Sequence, residues 1–366
     1  MTATESPKPR IPTSNEVARL AGVSRTTVSF VLNDVKSMNI SEATKQKVFQ
    51  AASELGYQPN AAARSLAGGS TSTIAVLIPS SDHLHVDSFL PRLLSTVNDC
   101  CHAVGYRVLL EAADDLGKAP GAFMGLVQSK RVDGLVIANM RSAERQFVER
   151  LANQGFPVVV PGNGLEPYFS RASQENDVVT AYTATKHLLS LGHRRIAHLG
   201  YASADYENVA MRREGYARAL VEAGIAPDAS LVGYADISAQ SGYAAMRELL
   251  ERKVPFTAIF VGNDTVAFGA MRALVEAGMR IPQDVAVVGY DDIPLAEFAS
   301  PPLTTMRIDP VTQGQEAVAM LHAQIGGGKY LRLESAYDTQ FIVRESCGAS
   351  LSTSPQQAPT RKSQRK

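Results

Sequence analysis

The chain has 366 residues, 45% apolar and 20% charged, enough to bury a sizeable core and too apolar for a disordered or collagen-like chain. Basic and acidic groups balance at 36 each, but not along the chain. Residues 1–70 hold eight basic and five acidic groups, residues 71–351 hold 24 and 31, and residues 352–366 hold four basic groups and no acid. A basic head on an acidic body points to a polyanion as partner of the head alone. Cys100, Cys101 and Cys347 form no CxxC pair and no disulfide framework, which fits a reduced compartment and speaks against structural zinc. The amino terminus is polar and no run of about 18 apolar residues occurs, so a soluble, cytoplasmic chain without a membrane partner is expected.

From Thr13 to Asn33 the periodicity predicts two short amphipathic helices, with Val17, Leu20 and Ala21 on one apolar face and Val28, Val31 and Leu32 on the other. Gly22 ends the first and Ser24 caps the second, the pattern of a helix-turn-helix. A third helix starts after Ser41, buries Val48, Ala51, Ala52 and Leu55, and stops at Gly56. Three short helices make a core of minimal size, suited to an interaction module rather than an enzyme. Arg25, Thr26, Thr27 and Ser29 project near the start of the second helix, a guanidinium for guanine edges and hydroxyls for phosphates or bases. Such side chains at a recognition-helix amino end suit the major groove. Thr13, Ser24 and Asn33 complete the candidate DNA-contacting set of the head.

The run EVARLAGVSRTTVSFVLN, followed by SEATKQKVFQAASELGYQPNAAARSLA, resembles the DNA-binding head and hinge of the lactose-repressor family of bacterial transcription regulators. The match runs without a gap through residues 15–68. The resemblance implies that Asn60 to Ala67 form a short hinge helix when two protomers sit on an operator, with Asn60, Ala63 and Leu66 contacting DNA and Leu66 wedged into the minor groove. The residues permit this: Asn60 can cap, AAARSLA favours helix, and so short a helix is not stable alone. Phe30 stands where the family often has a polar or basic residue.

After residue 72 apolar strand runs at 74–79, 106–112, 133–138, 157–161, 196–200, 258–262 and 285–292 alternate with helical stretches near 88–104, 142–154, 176–191, 207–224, 239–252 and 264–278. This predicts an α/β body of doubly wound parallel sheets in two lobes, with a ligand cleft at the carboxyl ends of the strands. The expected domains are a helix-turn-helix head (12–59), a hinge and linker (60–71), a two-lobed effector-binding and dimerisation domain (72–347) and a disordered basic tail (348–366).

KRVDGLVIA, LGHRRIAHLG, MRREGYARAL, FVGNDTVAFGAMRAL, IPQDVAVVGYDD and SPPLTTMRID resemble the effector domain of the same family, itself similar to periplasmic sugar-binding proteins. Head and body together extend the likeness over residues 12–346. It implies that Arg212 clasps a small-molecule effector, that Asn263 and Asp264 stand at the cleft wall, and that Asp291 accepts ligand hydroxyls. A five-donor guanidinium opposite carboxylates suits a sugar, a nucleoside or a related polyol. Gly162 or Asn163, Ile237 and Ile308 depart from the sugar-binding pattern. The stretch SSDHLHVDSF (80–89) leaves the first strand toward the cleft, so His83, His85 and Phe89 are expected at its mouth; histidines two apart in a loop lack a third defined ligand, and no metal site is read.

None of GxGxxG after the first strand, GxxxxGK[ST], HExxH or GxSxG occurs, so no enzyme and no cofactor are expected. A transport-type solute-binding protein is the alternative; it would share the body but carry a leader and no basic head. The expected function is a homodimeric, ligand-controlled regulator, a repressor, reading a pseudopalindromic double-stranded operator.

Overall fold

The computed structural model describes residues 12–33, 38–58, 69–113, 119–161, 171–327 and 339–349, without the side chains of 171–176. Asn60, Ala63, Leu66, Gly162, Asn163 and all but the first two residues of the expected tail lie outside the described residues. The chain divides into two compact units, Met1–Ser72 and Thr73–Lys366.

The first unit holds helices α1 (Ser14–Ala21), α2 (Arg25–Leu32) and α3 (Glu42–Leu55). Local chemistry sets their ends. Thr13 N donates to the Glu16 carboxylate at 2.8 Å, and Ser24 and Ser41 accept from the amides of Thr27 and Thr44, supplying acceptors for otherwise orphan helix donors. Gly22 closes α1 in the left-handed region at φ 67°, a conformation that costs glycine nothing. Val17, Ala18, Ala21, Val28, Val31, Val48, Ala51 and Ala52 form the core. Leu20, expected inside, is 52% exposed; over so short a helix Ala18 occupies the inner face instead.

The second unit is built in two lobes. In the first, strands β1 (Thr73–Ile78), β2 (Arg107–Ala112), β3 (Gly134–Ile137) and β4 (Val158–Val159) form a parallel sheet in the order β2-β1-β3-β4. Both faces are covered: Ile74, Val76 and Ile78 point into one core and Ala75 and Leu77 into the other, which is why β1 reads as an unbroken apolar run. Its helices are α4 (His83–Val86), α5 (Phe89–Ala103), α6 (Met124–Gln128) and α7 (Arg145–Asn153). The sequence predicts a loop where α4 forms.

The second lobe contains α8 (Arg171–Ser190), β5 (Ile196–Gly200), α9 (Glu207–Glu222), β6 (Val232–Tyr234), α10 (Ala239–Glu251), β7 (Ala258–Val261), α11 (Asp264–Glu276), β8 (Ala286–Asp291) and β9 (Thr304–Arg307). Helix α12 (Pro310–Gly326) then returns to the first lobe, where Ala317, Val318 and Leu321 join the core of Ile74 and Val136. Strand β10 (Gln340–Ile342) completes the second sheet, β10-β9-β8-β7-β5-β6. The expectation of parallel sheets needs one correction: β10 runs antiparallel on the β9 edge, because the chain comes back from the other lobe instead of through a right-handed crossover.

His198 on β5 is fully buried between the Tyr216 and Phe260 rings, at centroid distances of 5.0 and 5.1 Å. Its Nδ1 lies 3.0 Å from Phe260 O, and Nε2 has no partner among the described residues. Burial pushes the imidazole down to about 4. The unfolded chain therefore binds this proton from pH about 6.5 downward and the folded chain does not, so stability held above that pH is lost as pH falls toward 4, by roughly 3 kcal/mol. Asp264, which burial raises to about 7, has the opposite sign, so the measurement is a difference. Urea unfolding at pH 7 and pH 4.5 should show His198→Phe gaining ~2–3 kcal/mol on the parent at the lower pH; parallel pH profiles would show that His198 is not buried neutral.

Candidate functional site

In the head, Arg25, Thr26 and Ser29 are exposed on α2, and Phe30 is half-buried beside them. The Ser24 and Thr27 hydroxyls lie 2.9 Å apart at the helix start, and Asn33 Nδ2 donates to Ser29 Oγ at 3.2 Å. Those four side chains shape the helix, while Arg25 and Thr26 carry no side-chain bond among the described residues and face solvent. Thr13 is exposed at the start of α1.

In the body both lobes contribute to a partly open cavity of about 50 Å³. Phe89 and Leu93 of α5, Asn139 after β3 and Gln313 of α12 line it from the first lobe; Asp177 of α8, Asn208 and Arg212 of α9, Tyr290 of β8 and Ile308 line it from the second. Arg212 is its centre. The guanidinium carbon stands 3.6 Å from the Tyr290 ring centroid and 4.8 Å from that of Tyr201. Arg212 Nε donates to Asp177 Oδ1 at 2.9 Å and Nη1 donates to the Gly262 carbonyl. Asp177 also accepts from the Tyr290 hydroxyl and from Asn208 Nδ2, each at 2.7 Å. Burial would lower the Arg212 pKa, but Asp177 and the surrounding groups hold it well above its ordinary value, so the cation is permanent and pre-oriented.

The other expected cleft residues sit around this core. Asn263 caps α11 through Val266 N and donates to Asp291 Oδ2 at 2.7 Å. Asp264 is fully buried, accepting from Thr305 Oγ1 at 2.7 Å and Ile293 N at 3.0 Å; it ties the loop after β8 to β9. Burial raises Asp291 well above the carboxylate range, with Arg212 opposing and Asp264 and Asp87 adding to the rise. None of these three lines the cavity. His83 lines a second, more open groove of about 610 Å³ along the seam, with Asp82, Arg141, Asp205, Tyr206 and Asp236; His85 is exposed and lines neither space. No group of His, Cys, Asp and Glu among the described residues is arranged to hold a metal ion.

Several non-glycine residues at or after strand ends of the body occupy the left-handed region. Asn139, Ile237, Asp291 and Asp292 have φ of 54, 58, 108 and 53° at the ends of strands, an arrangement non-glycine residues keep only where the surroundings enforce it. Ile237 is held by a 2.6 Å bond from its amide to Tyr201 O and is buried in the second lobe's core, so it is not a cleft wall. The sequence does not single out Asp177, Asn208 or Tyr290; Tyr290 only neighbours the expected Asp291 on β8.

A clasp joins the lobes beside the cavity. Arg145 Nε and Nη2 donate to the two Glu207 carboxylate oxygens, each at 2.6 Å. Arg141 donates to the Tyr206 hydroxyl at 2.9 and 3.1 Å, Ser142 N to Asp205 O at 2.8 Å, and Glu207 N to Met140 O at 3.1 Å. Tyr206 and Glu207 begin the helix that carries Asn208 and Arg212, so clasp and cavity share one rigid element.

Residues 13–60 match the family model of bacterial regulatory proteins, lacI family, and residues 185–347 match the periplasmic binding protein-like domain. The transcriptional repressor PurR of Vibrio atlanticus is 36% identical over 315 residues, 86% of this chain and 92% of that protein. The chain belongs to the lacI family. Another relative, the transcriptional regulator CelR of Thermobifida fusca, is 35% identical over 92% of this chain and 98% of its own. Among solved structures, the lac repressor dimer bound to operator and the anti-inducer ONPF matches with a TM-score of 0.74 at 28% identity, over 92% of this chain and 99% of that one. A CelR–cellobiose complex matches with a TM-score of 0.63 at 33% identity, over 92% and 99%. As a lacI-family member the chain is a DNA-binding transcription regulator with a periplasmic-binding-protein-like body, and its relatives are regulators, not enzymes. No helix among the described residues is long and apolar enough to cross a membrane.

Proposed function

We propose that this regulator is a homodimeric repressor whose operator affinity is set by a small molecule held between the two lobes of its body. The carrying observation is the buried Arg212 network, which supplies a fixed cation, aromatic faces and amide groups to a cavity shared by both lobes. A sugar, nucleoside or related polyol fits this chemistry, and the cellobiose bound to CelR supports the class. At about 50 Å³ the cavity is too small for such a molecule, so binding separates or reorients the lobes and shifts the population of DNA-competent dimers. Two heads on a two-fold symmetric operator are supported by the lac repressor dimer as relative. A transport-type solute-binding role has no use for a head that matches the lacI model over residues 13–60.

The test is selection of bound duplexes from random DNA, using the full chain and a version starting at residue 72. Only the full chain should enrich a symmetric site. Arg25→Ala should lose the preference at one base pair in each half-site, a discrimination of about 1–3 kcal/mol. An unchanged selected site would remove Arg25 from base reading; enrichment by the truncated chain would sink the assignment of the head.

A further inference from the structure

Resting on the reading of α2 as the helix that enters the major groove, we propose that Phe30 reads the C5-methyl group of one pyrimidine in each half-site of the operator. The head then selects thymine there and responds to methylation of a cytosine in its place. Phe30 lies in the second turn of α2 (Arg25–Leu32). From that helix the core of the head takes Val28 and Val31, with Leu32 packed against it; the Phe30 ring belongs to neither group. At about 100° per residue, Thr26, Ser29 and Phe30 share the side of the helix turned away from Val28 and Val31. Thr26 and Phe30 stand one turn apart on that side, as surface neighbours. Arg25, Thr26 and Ser29 are exposed and Phe30 is half-buried. Among the described residues no aromatic ring or cation stacks on it.

A phenyl ring on a reading face neither donates to nor accepts from a base edge, so what it discriminates is the cost of covering one. Over the O6 and N7 acceptors of guanine, the N7 and N6 groups of adenine or the N4 donor of cytosine, it displaces water and leaves polar atoms unpaired. The major-groove edges of the base pairs carry one apolar projection, the C5-methyl group of thymine, and against it the ring buries apolar area. Residues 1–70 hold eight basic groups against five acidic ones, which draws the head to DNA of any sequence. Phe30 adds nothing to that attraction; its whole contribution is discrimination. On one helix face, Arg25 offers hydrogen bonds to a base edge and Phe30 a contact that needs none. A 5-methylcytosine carries the same methyl group at the same ring position, so methylating a cytosine that faces Phe30 supplies part of what thymine does, while the N4 donor remains to be covered.

The experiment uses the full chain and the symmetric duplex that it selects. Each thymine is replaced in turn, in both half-sites at once, by deoxyuridine, which lacks only the methyl group. At one position per half-site the parent should bind about fourfold more weakly for each methyl group lost, about fifteenfold in all. Phe30→Ala should bind the thymine and deoxyuridine duplexes alike, and Phe30→Leu, which keeps an apolar side chain, should retain a measurable part of the difference. At the same position the parent should bind 5-methylcytosine about fourfold more tightly per half-site than cytosine, and Phe30→Ala should not distinguish them. A Phe30→Ala variant that weakens every duplex but keeps the thymine preference gives the ring a packing role and overturns the proposal. So does a parent indifferent to deoxyuridine at every position. In both cases the reading of α2 stands, because a symmetric site was selected. If the full chain enriches no symmetric site, the reading of α2 fails and the proposal fails with it.

Discussion

Replacing Arg212 by methionine should abolish the small-molecule response while leaving operator affinity unchanged, and should destabilise the body by roughly 3–5 kcal/mol. The cause is the carboxylate left behind. Asp177 is 6% exposed and spends one oxygen on Arg212 and Tyr290 and the other on Asn208. Methionine fills the space between the Tyr201 and Tyr290 rings but leaves that carboxylate buried without its cation, and removing one partner of a buried pair costs more than the pair contributes. Asp177→Asn added to Arg212→Met should recover a large part of the loss, because an amide still accepts from Tyr290 and carries no charge. A double-mutant cycle in urea supplies the coupling. DNA binding in the absence of effector should survive because the proposed reading helix α2 lies in the other unit, Met1–Ser72, which has a core of its own. A variant that still responds to the parent's effector would place the effector elsewhere; a loss below about 1 kcal/mol would mean the pair behaves as a surface ion pair.

The parts legible in sequence were those decided by local chemistry. Thr13, Ser24, Ser41, Gly22 and Gly56 fix the ends of the head helices within a turn of their own position. The long β-branched runs of β1, β5, β7 and β8 read as buried parallel strands because both faces need apolar residues. Strands of three or four residues with polar content, VGY of β6, TTMR of β9 and QFI of β10, gave no such signal. Nor did the return of α12 to the first lobe, which depends on contacts far apart in the chain. At the site, Arg212 was legible from its motif, but Asn263, Asp264 and Asp291 show why a motif does not give a direction. They lie at or beside the strand ends as expected, yet Asn263 turns to a cap and Asp264 to Thr305. Asp177, the residue that fixes Arg212, comes from the adjacent helix α8, and no spacing relates the two.

Gly269→Ala should cost about 3 kcal/mol or more, although the substitution adds one methyl group and raises helix propensity. Helices α10 and α11 cross through a reciprocal pair of glycines. A Cβ on Gly269 would stand inside the van der Waals shell of the Ala239 carbonyl oxygen and 2.6 Å from Tyr243 N, and a Cβ on Gly242 would meet the Val266 carbonyl in the same way. These are backbone atoms, which cannot rotate aside, so the helices must separate. Gly326→Ala, at a helical site with nothing within 4 Å, is the control and should be neutral or stabilising by up to ~1 kcal/mol. Because α11 begins at Asn263 and Asp264, which hold Asp291 and Thr305, its displacement should also weaken the effector response at temperatures where the chain is still folded. Gly242→Ala and Gly269→Ala demand the same separation of the same helices, so the double variant should cost clearly less than the sum of the singles. Strict additivity in thermal or urea unfolding would mean that each methyl is absorbed locally and that the close crossing is not shared by the two sites.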